Sequence, residues 1–168
     1  MKHNPVIHRY PTPPSKGFSL LEVMVALLVL SVGLLGLAGL QTFSLKFNHQ
    51  SYERTQATLL IYDVMDRIMA NPTAAQAGNF DLVPPGANAA TYPAPASCQT
   101  TGCSTSDLAN YDLNSWKLQL ESSKVLAQGT GSVTRLNPGD LSGCIYDISV
   151  TWVENDITMT QTMRVRTL

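Results

Sequence analysis

Charge is scarce in this sequence. Of its 168 residues, 14% are Asp, Glu, Lys or Arg, and the formal net charge is −1. The first seventeen residues hold three of the eleven Lys and Arg residues and no acidic residue, so the remainder has eight basic against twelve acidic residues and a net charge of −4. A mildly acidic chain has no basic surface for a polyanion, which argues against direct nucleic-acid binding.

Histidine is also rare. The three histidines are His3, His8 and His49, and the first two belong to the N-terminal seventeen residues, so the ligands for a zinc site are missing. A serine-hydrolase site would have to use His49 as its base, and nothing marks a serine as its partner. The sequence predicts no metal, no cofactor and no catalytic residues, and hence no enzyme.

The three cysteines are Cys98, Cys103 and Cys144. An odd number leaves one cysteine without an intrachain partner, and three different pairs are possible. Cys98 and Cys103 are close together in a loop rich in Ser, Thr and Gly, so closing that loop costs the least entropy. We therefore favour a Cys98–Cys103 disulfide.

A long apolar run follows the first seventeen residues. Between Phe18 and Leu40 the single charged side chain is Glu22. A helix rises 1.5 Å per residue, so about 20 residues cross the ~30 Å of hydrocarbon in a bilayer. The run predicts a membrane-spanning helix over residues 18–40.

The segment before the run, residues 1–17, contains Lys2, Arg9 and Lys16 together with four prolines. Basic residues beside an apolar span hold that end of the chain in the cytoplasm. The charge pattern therefore predicts a single span with a cytoplasmic N-terminus and an exported body.

Helical periodicity continues after residue 40, although the segment becomes amphipathic. The Asn71-Pro72 step should end the helix, because proline disfavours the α conformation of the residue before it. We expect one helix from Phe18 to about Ala70, in which residues 41–71 cover the rest of the domain with one apolar face. The residues of the predicted face are Leu45, Tyr52, Leu59, Tyr62, Met65 and Met69.

Several polar residues are predicted to support helices or face solvent. Asp63 and Arg67 have the spacing of a helical ion pair. Asp107 and Asp112 are predicted to be charges near the start of a second helix. His49 is predicted to lie exposed on the long helix.

The remaining residues, 72–168, are predicted to form a globular head. Residues 72–102 are rich in Pro, Gly and Ala and should be a long irregular connection. Ser104 or Ser106 should cap a short second helix that ends by Gly129. Trp116 on this helix, and Trp152 further on, are predicted core residues.

The end of the chain alternates with period two. Strands are expected at about residues 132–136 and 146–152 and after the turn at residues 154–156, where Ile157, Met159, Met163 and Val165 should share the inner face. These strands predict a small antiparallel sheet with one buried face, covered by the amphipathic half of the long helix. The predicted fold class is α+β.

The sequence Lys16-Gly17-Phe18-Ser19-Leu20-Leu21-Glu22, between a basic leader and an apolar helix, resembles the class III signal of type IV pilins and type II secretion pseudopilins. The resemblance implies a type IV pilin-like fold and a leader of residues 1–17. It also implies that prepilin peptidase cuts between Gly17 and Phe18 and methylates Phe18. In this family Glu22 would form an assembly salt bridge with the new N-terminal amine.

Looser motifs resemble the PilV minor pilins, or type IV pilus modification proteins. They are Asp63-Val64-Met65-Asp66-Arg67, Ala70-Asn71-Pro72, Ala109-Asn110-Tyr111-Asp112-Leu113 with Trp116, and Ser149-Val150-Thr151-Trp152. This resemblance implies a protein of the inner membrane with a periplasmic head. It further implies a role in pilus initiation and assembly, at or near the pilus tip, with other minor pilins and the pilus assembly machinery as partners.

Two alternatives remain. A type II secretion pseudopilin shares the N-terminal features and differs in the machine it serves. A soluble exported binding protein or enzyme would instead use Gly36-Leu37-Ala38 as a signal-peptidase site and begin at Gly39. That alternative leaves Lys16-Gly17 and Glu22 unexplained.

Overall fold

One helix, α1 (Leu20–Ala70), accounts for much of the chain. The structure is a computed structural model that describes residues 17–140 and 143–167, with the backbone only at residue 82. The described residues form two compact units, residues 17–46 and 47–167, and α1 belongs to both. The helix starts two residues later than predicted, because the Ser19 carbonyl accepts the first helical hydrogen bonds, from the N–H groups of Glu22 and Val23.

At its other end α1 stops at Ala70, as predicted. Asn71 leaves the α conformation and its side-chain oxygen accepts a hydrogen bond from Ala74 N–H, which caps α2 (Pro72–Gln76). The connection is therefore less irregular than expected. Besides α2, it contains β1 (Leu82–Val83), a 3₁₀ turn (Ala89–Thr91) and the short helix α3 (Ser97–Thr100).

The second helix of the prediction is α4 (Thr105–Glu121). Of the two serines proposed as its cap, Ser104 is the one used: its hydroxyl accepts a hydrogen bond from Asp107 N–H at 3.1 Å. The predicted stop at Gly129 is wrong. The helix ends at Glu121, and the Ser122 hydroxyl donates to the Leu118 carbonyl at 2.6 Å, satisfying one of the free carbonyls of the last turn.

Four strands form one antiparallel sheet in the order β1-β2-β3-β4, where β2 is Thr130–Arg135, β3 is Ile145–Glu154 and β4 is Ile157–Arg166. Asn155 and Asp156 join β3 to β4 and both have positive φ, as a two-residue type I′ hairpin requires. Along β3 the buried residues alternate as predicted. On β4 the residues Met159, Met163 and Val165 pack against the core, whereas Ile157 is 63% exposed at the hairpin end, contrary to the prediction.

The face of α1 that packs on the sheet is not the one predicted. Of the predicted face, Met65 is half-buried and the other five residues are exposed. The buried residues of α1 are instead Glu53, Ala57, Ile61, Val64 and Ile68. This face packs against two indoles: Trp116 N–H bonds to the Leu60 carbonyl at 2.8 Å and Trp152 N–H to Glu53 at 3.3 Å. Shorter side chains and one acceptor fit beneath these rings better than Leu, Tyr and Met.

Trp116 and Trp152 are fully buried, as predicted. Trp116 lies so close to β2 that a Cβ added at Gly131 would be 2.4 Å from Trp116 Cη2 and 2.7 Å from Leu120 Cδ1. A glycine is therefore required near the start of this strand, where it lets α4 approach the sheet closely.

We expect Gly131→Ala to lower the free energy of unfolding of the full chain by about 1–3 kcal/mol, because the new methyl group overpacks the core. Urea denaturation of detergent-solubilised protein, followed by tryptophan fluorescence, measures this change. Gly86→Ala is the matched control, since nothing lies within 4 Å of its added Cβ. An equal effect of the two substitutions would contradict the assignment of Gly131 to close packing.

Candidate functional site

Of the residues that the structure describes, three precede α1, at the predicted processing junction. Gly17, Phe18 and Ser19 lie outside the helix; Phe18 is 83% exposed, and among residues 19–140 and 143–167 no atom approaches the Cβ position of Gly17 within 4 Å. The rest of the predicted leader, with Lys16, lies outside the described residues. The peptide bond between Gly17 and Phe18 is accordingly open to another molecule.

Glu22 lies in the first turn of α1. A carboxylate in this position interacts favourably with the unpaired N–H groups at the helix N-terminus. Within residues 17–140 and 143–167 no cation lies within salt-bridge distance of Glu22, and no other charged residue occurs up to Leu40. Glu22 is therefore a single carboxylate that remains available for a partner.

The apolar part of α1 is long and apolar enough to cross a membrane, and the residues of its most apolar window are all exposed. Its few hydroxyls bond within the helix: Ser31 donates to the Leu27 carbonyl at 2.7 Å and Thr42 to the Ala38 carbonyl at 3.1 Å. These bonds remove the need for outside partners, which suits an apolar environment.

In the head, Arg67 joins α1 to α4. Its guanidinium pairs with Asp63 at 3.0 Å, as predicted, and with Asp112 at 3.0 Å. The prediction of Asp112 as a helix-start charge is wrong, because Asp112 lies in the middle of α4 and faces Arg67. Burial raises the pKa of Asp112 and the adjacent guanidinium opposes this shift. The helix pattern alone could not reveal the pair, since its partners are 45 residues apart.

Glu53 is buried, although its side chain is a carboxylate. One carboxylate oxygen accepts the Trp152 N–H, and the other lies 3.2 Å from Nδ1 of His49. The His49 side chain is largely exposed, as predicted. Glu53 thus accepts the hydrogen bond of a buried indole and also contacts a histidine at the surface.

Lys117 is a buried cation that sequence reasoning missed. It is 1% exposed and its ammonium donates hydrogen bonds to the carbonyls of Pro84 and Gly131. The ammonium lies 5.4 Å from the centroid of the Trp116 ring. Burial lowers the pKa of Lys117 to about 8, against the opposing charge of Glu121. One feature of the sequence could have indicated its burial: Lys117 lies four residues after Leu113, which is buried, so the two residues share one face of α4.

Lys117 also lines a cavity of about 280 Å³ between α4, residues 85–88 and the start of β2. Further residues of α4 hold the connecting segment nearby. Asn114 donates to the carbonyls of Ala89 and Tyr92 at 2.7 and 2.8 Å, and Glu121 accepts from Ala89 N–H at 2.7 Å. These contacts position the connection; they bring no nucleophile and base together.

Cys98 and Cys103 form a disulfide, which confirms the favoured pair. Cys144 is free and buried. The bridge closes the loop directly before Ser104, the cap of α4. It therefore restrains the end of the connection where the chain enters the helix.

No group of three or more His, Cys, Asp or Glu residues within the described ranges is arranged to hold a metal ion. His3 and His8 lie outside those ranges. The features that remain for function are the exposed residues Gly17 and Phe18, the lone carboxylate of Glu22, the apolar part of α1 and a folded head.

Two family models match adjacent parts of the chain. Residues 13–38 match the prokaryotic N-terminal methylation motif, so this protein is of the class made with a prepilin-type N-terminus. Residues 39–114 match the family described as type IV pilin Tt1218. No curated protein and no solved structure matches the chain.

Residues 39–114 are thus similar to type IV pilins, and the methylation motif directly precedes them. Together with the motif and the apolar helix, this assignment indicates a membrane-anchored protein that prepilin peptidase processes in the context of pilus assembly. The α+β fold, a long N-terminal helix with a small antiparallel sheet, agrees with the family. The family is structural rather than enzymatic, which confirms the prediction that the chain is not an enzyme.

The buried cation leads to a pH-dependent stability. Between the folded pKa of about 8 and the unfolded value of about 10.5, the unfolded state of Lys117 binds more protons, so stability rises with pH in this window. The expected gain is about 2 kcal/mol between pH 7 and pH 9.5. Burial raises the pKa of Tyr146, and this opposes the gain above about pH 10.

Urea denaturation of the full chain at several pH values between 7 and 9.5 tests this expectation. Lys117→Met keeps an unbranched side chain that is one atom shorter and removes the titrating group, so the rise with pH should disappear. The same rise in the substituted protein would show that Lys117 is not its source.

Proposed function

We propose that this chain is a minor pilin, of the PilV type, that acts in initiation and assembly of the type IV pilus with other minor pilins at or near its tip. The observation that carries the proposal is Glu22. It is the only charged residue between Phe18 and Leu40, lies within the methylation-motif match and has no salt bridge to any described residue. An isolated carboxylate in an apolar helix is costly unless it meets a cation.

Processing would supply that cation. Hydrolysis of the bond between Gly17 and Phe18 gives a carboxylate on the leader and an amine on Phe18, with a reference pKa of about 7.7–8 for such an amine. The amine and Glu22 are then one helical turn apart in sequence. In a bundle of such helices, Glu22 of one subunit can pair with the amine of its neighbour, which orders incoming subunits.

The predicted topology follows from the same residues. The basic leader keeps the N-terminus in the cytoplasm, where the peptidase acts, and residues 18–40 span the inner membrane. Residues 41–71 continue the helix, and residues 72–168 complete the periplasmic head. After assembly the head would lie on the pilus surface.

Contacts among the motif residues support the more specific assignment to PilV-type minor pilins. Arg67 of the first motif pairs with Asp112 of the third, and the Asn71 amide donates to the Thr105 carbonyl at 2.8 Å. Trp116 bonds to the Leu60 carbonyl, close to the first motif. The motifs that resemble these proteins thus belong to one packed framework.

The mature N-terminus tests processing. Intact mass and terminal peptide sequencing of the protein from native membranes should give a chain that starts at methylated Phe18, because the peptide bond before it is exposed. A chain that starts at Gly39 would instead identify a soluble exported protein and would refute the proposal.

The role of Glu22 is tested by assembly. We expect Glu22→Ala to reduce the amount of the protein in sheared pili at least tenfold, while its amount in the membrane stays the same, because the carboxylate is needed for subunit registration and not for insertion. Glu154→Ala is a control that removes a carboxylate from the head. Wild-type incorporation of Glu22→Ala would refute the assembly role, and absence of the wild-type chain from pili would favour the secretion pseudopilin.

A further inference from the structure

One edge of the sheet is open. In the order β1-β2-β3-β4, β4 is a terminal strand, and among the described residues no strand pairs with its outer side. The strand at the other end of the sheet, β1, has two residues, whereas β4 has ten and pairs with β3 without a bulge. A long, regular edge strand can pair with a strand of another molecule. We call the open side of Ile157–Arg166 the β4 edge.

Alternate residues of β4 direct their backbone groups to this edge. In an antiparallel ladder, the N–H and C=O groups of successive residues point in opposite directions. The N–H of Thr167 donates to the carbonyl of Cys144, directly before β3, at 2.8 Å, so the odd-numbered residues of β4 bond towards β3. The even-numbered residues therefore direct their N–H and C=O groups away from the sheet. These residues are Thr158, Thr160, Thr162, Arg164 and Arg166.

Few features protect the β4 edge from pairing. Proteins usually interrupt such edges with proline, with charged side chains or with bulges. Residues 157–163 contain neither proline nor a charged residue. Ile157 is 63% exposed, and Met159 and Met163 are only partly buried against the core. A further strand at this edge would cover these apolar side chains and satisfy the outward-pointing backbone groups.

The side chains of β4 follow nearly the same pattern when the strand is read from either end. The centre of the pattern is Gln161. The residues at equal distances from this centre form the pairs Thr160 and Thr162, Met159 and Met163, Thr158 and Arg164, and Ile157 and Val165. Two antiparallel copies centred on Gln161 would place the members of each pair opposite one another and on the same face. Methionine would then pack against methionine on the inner face, so the strand is suited to a second copy of itself.

Backbone and charge favour the same register. It places even-numbered residues opposite even-numbered residues, so their outward N–H and C=O groups can exchange hydrogen bonds. Asp156 lies in the turn before β4 and Arg166 at its end; both are exposed, and neither has a salt bridge to a residue within 17–140 or 143–167. With the two copies centred on Gln161, each Asp156 lies beside Arg166 of the second copy. Two parallel copies would instead bring like charges together.

We propose that the β4 edge pairs with the β4 edge of a second copy of this chain, antiparallel and centred on Gln161, so that one continuous sheet crosses two heads. The contact is self-complementary, because a two-fold axis through Gln161 relates its halves. It is independent of the salt bridge proposed for Glu22.

The pairing reverses the direction of the second head. Its two-fold axis is perpendicular to the sheet, and residues 47–70 of α1 pack on the inner face of the sheet through Trp116 and Trp152. The axis therefore makes these two helical segments run in opposite directions. In a filament built on the long helices, all subunits run the same way. The two copies therefore belong to different pili; this step rests on the proposed function, whereas the pairing itself does not.

Disulfide trapping of the detergent-solubilised full chain tests the register. The two Gln161 residues would form a non-hydrogen-bonded pair with Cα atoms about 4.5 Å apart, which is short enough for a disulfide. The two Thr158 residues would be about 20 Å apart along the strands. After mild oxidation we expect Gln161→Cys to give a disulfide-linked dimer, joined at residue 161, with at least tenfold higher yield than Thr158→Cys. Equal yields, or no dimer from Gln161→Cys with unaltered tryptophan fluorescence, would overturn the proposal.

Sedimentation equilibrium of the same solubilised chain tests the pairing without an added cysteine. We expect the wild-type chain to dimerise reversibly and Arg166→Glu to raise the dissociation constant at least tenfold, because residue 166 would then lie beside Asp156 with the same charge. Lys124→Glu, a charge reversal of an exposed residue outside the β4 edge, should leave the constant unchanged. A wild-type chain that sediments as a monomer at every concentration, or equal effects of the two substitutions, would contradict the pairing.

Mixing of pili tests whether the two copies belong to different filaments. Sheared pili are prepared from two strains that carry Gln161→Cys with different epitope tags, mixed and then oxidised. We expect dimers that contain both tags. Dimers with a single tag only, or disulfides to a different protein, would refute the contact between pili.

The two proposals fail in different ways. If the chain is absent from sheared pili yet the solubilised Gln161→Cys variant forms the dimer, the pilus function is wrong and the pairing of the β4 edge is right. If Glu22→Ala blocks entry into pili while Gln161→Cys gives no dimer, the pilus function stands and the pairing is wrong.

Discussion

The head depends on the placement of one indole. Trp116 comes from α4, donates its N–H to the Leu60 carbonyl of α1, and fills the space that Gly131 leaves in β2. Because a buried indole has a single donor and a large rigid ring, one hydrogen bond and one close contact fix its orientation. The same placement brings Lys117 to the carbonyls of Pro84 and Gly131. Helix, sheet and connecting segment are thus joined at a single position.

The long helix separates two kinds of chemistry along its sequence. Its first part has one charge, Glu22, and hydroxyls that bond within the helix. Its backbone and side chains therefore need few hydrogen-bond partners outside the helix. Its second part is charged and uses Glu53 and Arg67 to bond with the head. The first part is therefore suited to apolar surroundings, whereas folding of the head constrains the second part.

The sequence was sufficient for the long helix, its end before Pro72, the β3–β4 hairpin and the Cys98–Cys103 pair, because each depends on local spacing or turn chemistry. It was insufficient for the packed face of α1. Two apolar rows were present, and the larger residues suggested the wrong one. The choice depends on the size of the rings that pack against the helix, and those rings come from residues 116 and 152, far along the chain.

The candidate site likewise has some residues whose roles the sequence predicted and others whose roles it did not. The predicted processing junction and Glu22 were visible as a contiguous motif, and both were singled out from the sequence. The roles of Glu53, Asp112 and Lys117 were not visible, because each depends on a partner distant in sequence: Trp152, Arg67 and the Pro84 carbonyl. Ion pairs and buried cations of this kind leave little local pattern.

The connecting segment, residues 72–102, affects how freely the surface of the head can vary. Asn114 and Glu121 hold it near Ala89 and Tyr92, the disulfide closes its end, and no residue from 90 to 102 is buried. Residues 93–102 are thus held in place mainly by bonds to the residues before them and by the disulfide. Substitutions within residues 93–102 can therefore change the exposed surface of the head without loss of its fold.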